Sequence, residues 1–161
     1  QIDDWTGWHD RCAAHARATG SLPADCREQF TLSTMVLRTH QDKTFPGAMV
    51  ASLSVPWGNT KDERPGYHLV WPRDLCECAG ALLAFGATTE ALDTLRYLRA
   101  TQLADGHWYQ NLWLGGSPYW GAVQLDETAF PVLLATVLHE RGALDGVEVA
   151  DMIQRALSFI V

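Results

Sequence analysis

Residues 126–138 read Asp126-Glu127-Thr128-Ala129-Phe130-Pro131-Val132-Leu133-Leu134-Ala135-Thr136-Val137-Leu138. Their apolar positions (Ala129, Phe130, Val132, Leu133, Leu134, Ala135, Val137, Leu138) do not keep to one stripe of a helix. A helix here is apolar nearly all round and requires burial on every side. The spacing predicts that it opens at Asp126, runs to Arg141 and stops at Gly142, with Pro131 tolerated because it lies near the first turn. A second stretch behaves the same way. It opens or is capped at Asp74, runs to about Phe85 before Gly86, and carries Leu75, Cys76, Cys78, Ala79, Ala81, Leu82, Leu83 and Phe85.

The helix between them, from Thr89 to about Gln102, is amphipathic, with Ala91, Leu92, Leu95 and Leu98 on one face and Glu90, Asp93, Arg96 and Arg99 elsewhere. Another amphipathic helix starts near Val147 and carries Val149, Met152, Ile153, Ala156, Leu157 and Ile160 at helical spacing. Buried, surface, buried, surface is the order of helical hairpins stacked into two concentric layers. A plain four-helix bundle would make every helix amphipathic. Two earlier helices complete the set: Asp3 to Ala18, ending at Gly20, and one starting near Asp25 as N-cap and running to about Thr39 with Phe30, Leu32, Met35 and Val36 apolar. The chain is therefore expected to be all-α, with six helices forming part of a ring.

Two stretches, 40–72 and 103–123, carry Pro46, Gly47, Pro56, Gly58, Pro65 and Gly66 in the first and Gly, Pro and aromatics in the second. Both read as loops, the first with short extended pieces. If consecutive helices run antiparallel, the third and fifth are parallel and start at the same end. Both follow a tryptophan-rich loop and both start with an acid, so loops, carboxylates and helix N-termini converge on one face.

Composition narrows the function. At 161 residues and 47% apolar content, one domain with a core is expected. A net charge of −7 without a Lys/Arg cluster argues against a nucleic-acid surface. No apolar run approaches the roughly 20 residues of a membrane span. Cys76 and Cys78 point about 200° apart on a helix, so they neither pair nor share a metal. The four cysteines read as buried free thiols, with a Cys12–Cys26 link as the alternative. Asp42, Asp62 and Glu63 read as solvated loop acids rather than a metal site, and no cofactor is implied. The chain opens on Gln1 and closes inside an apolar pattern, which is expected of a piece of a longer protein.

Five of the seven tryptophans (Trp57, Trp71, Trp108, Trp113, Trp120) lie between residues 57 and 120, in loop-like sequence. A flat indole can stack on the CH face of a pyranose, while carboxylates and a guanidinium satisfy its hydroxyls. In Tyr67-His68-Leu69-Val70-Trp71-Pro72-Arg73-Asp74, Pro72 biases Trp71 away from helical backbone. Arg73 then offers a planar fork of donors beside the acceptors of Asp74. The plainer reading makes Asp74 a helix cap paired with Arg73 on the surface, and the rings core filling.

Taken together, Trp57-Gly58-Asn59, Gly66-Tyr67-His68-Leu69-Val70-Trp71-Pro72-Arg73-Asp74, Asp105-Gly106-His107-Trp108, Gln110-Asn111, Tyr119-Trp120-Gly121 and Gln124-Leu125-Asp126-Glu127-Thr128-Ala129-Phe130-Pro131 resemble glycoside hydrolase family 15, the glucoamylase and glucodextranase family. The resemblance covers nearly the whole chain, most closely residues 43–141. It implies an (α/α)6 toroid of which residues 1–161 are an incomplete catalytic domain, about six of twelve helices, with 40–72 and 103–123 as active-site-face loops. It implies an α-glucan or oligosaccharide substrate, hydrolysed at terminal α-glucosidic bonds by an inverting mechanism. Such a mechanism needs two carboxyl groups roughly 6.5–9.5 Å apart.

By matching positions, Arg73 and Asp74 resemble the pair that grips the terminal glucose, and Tyr67 and Trp71 resemble the aromatic wall of that subsite. Trp120 resembles the indole over the scissile region, while Asp126 and Glu127 resemble supporting carboxylates at the start of a buried helix. Trp57, Trp108 and Trp113 are expected to be loop supports. The sequence departs from the family pattern in one respect: the general acid belongs to a later Trp-Glu-Glu segment and the base lies further on. Neither is found before Val161, so the segment is expected to hold substrate-binding residues without a catalytic pair, and to need the remainder of the toroid. A non-catalytic carbohydrate-binding or regulatory remnant of the same fold is the rival. A terpene cyclase toroid would need an aspartate-rich motif that is missing.

Overall fold

The structure, a computed structural model, describes residues 2–20, 23–54 and 67–161. Trp57, Gly58, Asn59, Asp62, Glu63 and Gly66 lie outside the described residues. Among those described, six α-helices and one β-hairpin follow in order: α1 (Ile2–Ala18), α2 (Arg27–His40), α3 (Pro72–Ala84), α4 (Thr88–Thr101), β1 (Tyr109–Leu112), β2 (Pro118–Val123), α5 (Leu125–Glu140) and α6 (Ala150–Ile160). A single 3-10 turn, Ala24–Cys26, precedes α2, so Asp25 sits inside that turn and does not cap the helix.

α3 is the centre of the packing, set against both α4 and α5, with α6 against α5. Leu75, Ala79, Leu82 and Leu83 of α3 meet Ala91, Leu92, Leu95 and Leu98 of α4 and Leu134, Ala135 and Leu138 of α5 in one buried cluster. Each fully buried leucine contributes roughly 1.5–3 kcal/mol, so this cluster dominates the stability. The layering read from the sequence is present for α4, whose Arg96 and Arg99 face solvent. It is only half met by α5. The helix is apolar all round as expected, but Leu133 and Val137 are 56% and 39% exposed, because no described element covers that face.

Both central helices end alike. Gly86 and Gly142 take positive φ, of 80° and 62°. The following amides reach back to carbonyls five residues earlier, Ala87 N to Leu82 O at 2.9 Å and Ala143 N to Leu138 O at 2.8 Å. This left-handed cap reverses the chain into the next helix.

The helix starts differ from expectation by small but useful amounts. α3 opens at Pro72, whose fixed φ suits the first helical position and forces Trp71 to extended backbone, φ −104° and ψ 118°. Asp74 is thus inside the first turn rather than at the cap. α5 opens at Leu125, which places Asp126 second and Glu127 third in the helix. Pro131 is then in the second turn, past the first, and the Glu127 carbonyl receives no N–H from it. α6 begins at Ala150, three residues later than expected.

The stretch 103–123, expected to be loop, contains the hairpin. β1 and β2 pair antiparallel with Asn111 opposite Trp120, through an irregular register. The hairpin joins the extended residues before α3, since Val70 and Leu112 exchange backbone hydrogen bonds at 2.9 and 2.8 Å. Two α4 groups anchor it: the Leu98 carbonyl accepts from Trp108 Nε1 at 3.0 Å, and Tyr97 Oη donates to the Trp113 carbonyl at 3.3 Å. All four cysteines are free, with Cys12 and Cys76 buried and Cys26 and Cys78 half-buried.

Candidate functional site

The N-termini of α3 and α5 meet at the hairpin, and a cavity of about 700 Å³ opens there. Its lining includes Tyr67, Leu69, Trp71, Arg73 and Asp74 from the α3 side, and Gln110, Asn111, Tyr119 and Trp120 from the hairpin. Two aromatic pairs flank it. The Tyr67 and Trp71 rings lie 5.8 Å apart at 34°, and the Tyr119 and Trp120 rings 5.8 Å apart at 30°. Trp113 buttresses Tyr119 edge-on at 5.3 Å.

The same cavity borders a compact charge cluster. Arg73 Nη1 donates to Asp126 at 2.8 Å and Nη2 to Asp74 at 3.1 Å. Its guanidinium presents five N–H donors in a plane, so donors remain for a ligand after both acids are served. The Asp126 contact raises the Arg73 pKa further and holds the Asp126 carboxyl below its ordinary value. Arg73 stays charged at every working pH.

Five of the seven residues singled out from the sequence (Tyr67, Trp71, Arg73, Asp74, Trp120) line this one cavity. Asp126 stands behind Arg73 as its partner. Glu127 is placed differently from a substrate-binding residue. It is completely buried, its Oε2 accepts the Arg73 backbone N–H at 2.6 Å, and its Oε1 lies 3.6 Å from Arg73 Nη1. Burial is the main cause that pushes its pKa up to about 7, reinforced by Asp74 and Asp126 and opposed by Arg73. A value near neutrality suits a general acid, but a proton donor must reach the bond it cleaves, and Glu127 does not line the cavity.

On the hairpin side of the lining, sequence reasoning gave a role to Trp120 but none to Gln110, Asn111 or Tyr119. Asn111 is completely buried; its Oδ1 accepts the Trp120 backbone N–H at 3.1 Å, while its Nδ2 has no protein partner among the described residues. The motif Gln110-Asn111 and the ring of Tyr119 were visible, but only strand pairing reveals that they face the same space as Arg73. Trp108 is fully buried, and its Nε1 bond to the Leu98 carbonyl of α4 ties down the start of the hairpin. The adjacent Asp105-Gly106-His107 forms a clasp on α6: His107 stacks on Phe159 at 4.4 Å and hydrogen-bonds Asp105 at 2.7 Å. Asp42 caps a turn, accepting the Thr44 and Phe45 amides at 2.8 and 2.7 Å.

Comparison with known proteins bears directly on this arrangement. The family model for Glycosyl hydrolases family 15 matches residues 27–114, which include the Trp71–Asp74 run and all of β1. A glucoamylase of Clostridium sp. (strain G0005) is 42% identical over 136 residues, covering 83% of this chain and 18% of the relative. The crystal structure of bacterial glucoamylase complexed with acarbose superposes with a TM-score of 0.69 at 39% identity, over 81% of this chain and 19% of that one. The chain thus spans less than a fifth of the length of these relatives. Its helices match part of the glucoamylase (α/α)6 fold. With more than half of its residues matched by the family and a relative at 42% identity over most of its length, the chain belongs to glycosyl hydrolases family 15.

Proposed function

We propose that these residues form the glucose-gripping part of a catalytic ring that hydrolyses terminal α-glucosidic bonds in glucans or oligosaccharides with inversion. Residues 1–161 are in this reading an incomplete catalytic domain whose loops 40–72 and 103–123 form the active face. The observation that carries it is that the Arg73–Asp74 pair and two aromatic pairs line one cavity. At about 700 Å³ the space falls within the range of small-ligand sites. Tyr67, Trp71 and Trp120 supply flat apolar faces for the pyranose, and Arg73 and Asp74 supply a donor fork and an acceptor for adjacent hydroxyls. Asp126 holds the fork in plane and Glu127 acts from behind it.

Among the described residues, no pair of carboxyl groups in the cavity is arranged for inversion. Asp74 pairs directly with Arg73, and Glu127 is sealed off. The acid and base of the reaction are therefore assigned to parts of the full-length protein outside residues 1–161. The relative that binds acarbose supplies the probe. Calorimetric titration of the full-length protein with acarbose is expected to show binding that Asp74→Asn reduces by more than tenfold. The segment alone is expected to release no glucose from maltose. Glucose release by the segment that disappears on Asp74→Asn would overturn the assignment of catalysis elsewhere. Acarbose binding without any hydrolysis by the full-length protein would favour the non-catalytic remnant.

A further inference from the structure

We propose that Glu127 is a positioning residue for the Arg73–Asp74 subsite. Its carboxylate, reaching across from α5, replaces the capping side chain that α3 lacks, and so sets where Arg73 and Asp74 stand in the cavity. The inference rests on the sugar-binding reading above and goes one layer behind it.

A helix start leaves its first N–H groups without partners inside the helix. The usual remedy is a Ser, Thr, Asp or Asn at the cap position. In α3 that position is Trp71, which offers no acceptor and whose ring is committed to the cavity wall. Pro72 has no N–H. Arg73 is thus the first residue whose amide needs a partner, and Glu127 Oε2 takes it at 2.6 Å. Because Trp71 belongs to the subsite, the cap comes from elsewhere in the fold.

The choice of a buried acid for this task is costly. A carboxylate sealed from water loses its hydration, and a neutral local cap would avoid that loss. The cost is offset where the acid does more than cap. Glu127 Oε1 makes no hydrogen bond among the described residues and lies 3.6 Å from Arg73 Nη1, so one side chain addresses both the main chain and the guanidinium of Arg73. Asp126 takes Nη1 from the next position on the same helix. Two successive residues of α5 therefore divide the work: Glu127 holds the backbone of Arg73, and Asp126 holds its fork. The charged and titratable groups around Glu127 are Arg73, Asp74 and the Cys76 thiol on α3, and Asp126 on α5.

The test uses acarbose titrations of the full-length protein between pH 5 and 8, with Glu127→Ala, Glu127→Gln and Asp74→Asn. Glu127→Ala is expected to weaken binding by roughly tenfold to a hundredfold, the scale of a displaced positioning group. Glu127→Gln keeps an acceptor for the Arg73 amide and is expected to recover most of that loss. It should also remove the change in affinity that the parent shows as pH passes about 7. Parental affinity in Glu127→Ala, or identical pH profiles for the parent and Glu127→Gln, overturns the proposal. Should the alanine variant fail to fold, the glutamine profile decides. Undiminished binding in Asp74→Asn sinks the sugar-site reading itself. Loss there, with Glu127→Ala unaffected, sinks only the positioning role.

Discussion

At the scale of single residues, chemical type and neighbourhood in sequence singled out Trp71, Arg73 and Asp74, which the structure brings to one cavity because all three lie at one helix start. Glu127, expected as a supporting carboxylate, stands behind Arg73 and off the cavity wall. Whether an acid third in a helix faces a cavity or the helix beside it depends on how α3 and α5 pack, which no local pattern encodes. Its burial carries a stability signature. The folded protein holds the Glu127 proton more tightly than the unfolded chain, with a pKa of about 7 against an ordinary 4.5. Its contribution is therefore fully present below about pH 4.5 and is lost as pH rises through about 7. The melting temperature of the parent minus that of Glu127→Gln is expected to fall between pH 5 and pH 8; a difference that stays level or rises contradicts the buried, proton-holding state. Two tryptophans of one sequence cluster should separate as sharply. Trp108→Phe removes the buried Nε1 bond to the Leu98 carbonyl and leaves a void, costing roughly 2–4 kcal/mol in urea denaturation. Trp113→Phe, at a ring 37% exposed, should change stability by about 0.5 kcal/mol or less. Loop-like sequence around a tryptophan does not tell these cases apart, because burial comes from α4.

At the scale of elements, helices α3 to α6 were legible to within a few residues from their apolar positions, and in α3 and α5 the terminal glycines agree. The hairpin was not. Tyr109–Leu112 and Pro118–Val123 lack a clean alternation, and their register is interrupted, so period-two patterning is absent from the sequence. What holds them is bonding to Val70 and to α4, visible only in three dimensions. The two left-handed glycines give a paired test. Alanine at Gly142 meets nothing within 4 Å and should cost only the backbone term, about 1–2 kcal/mol. Alanine at Gly86 carries that same term and also places its Cβ 2.4 Å from His15 Cγ of α1, so it should cost clearly more. Denaturant midpoints that rank the two the other way would show that α1 does not pack on this turn as described.

At the scale of the molecule, alternating helix polarity pointed to layers before any shape was known, and the layering explains why α5 has no polar face. Its exposed side carries Leu133 and Val137, and α6 exposes Leu157. Apolar side chains left open to water promote association where they form a patch. The isolated 161-residue chain is expected to self-associate in sedimentation velocity runs, and Leu133→Glu with Leu157→Glu should shift it toward monomer. A monodisperse parent at high concentration would contradict this. The crossing from Glu127 to the Arg73 amide also has a consequence in time. The two residues are 54 positions apart, so as the chain leaves the ribosome α3 acquires its cap only after the hairpin and the start of α5 have emerged. Closing that loop costs chain entropy that local helix formation does not. The helical hairpin of α3 and α4 can form early, while the first turn bearing Arg73 and Asp74 stays frayed until α5 docks. The Arg73–Asp74 cluster is thus expected to be among the last features of this segment to set, and variants at Glu127 should speed unfolding far more than they slow folding.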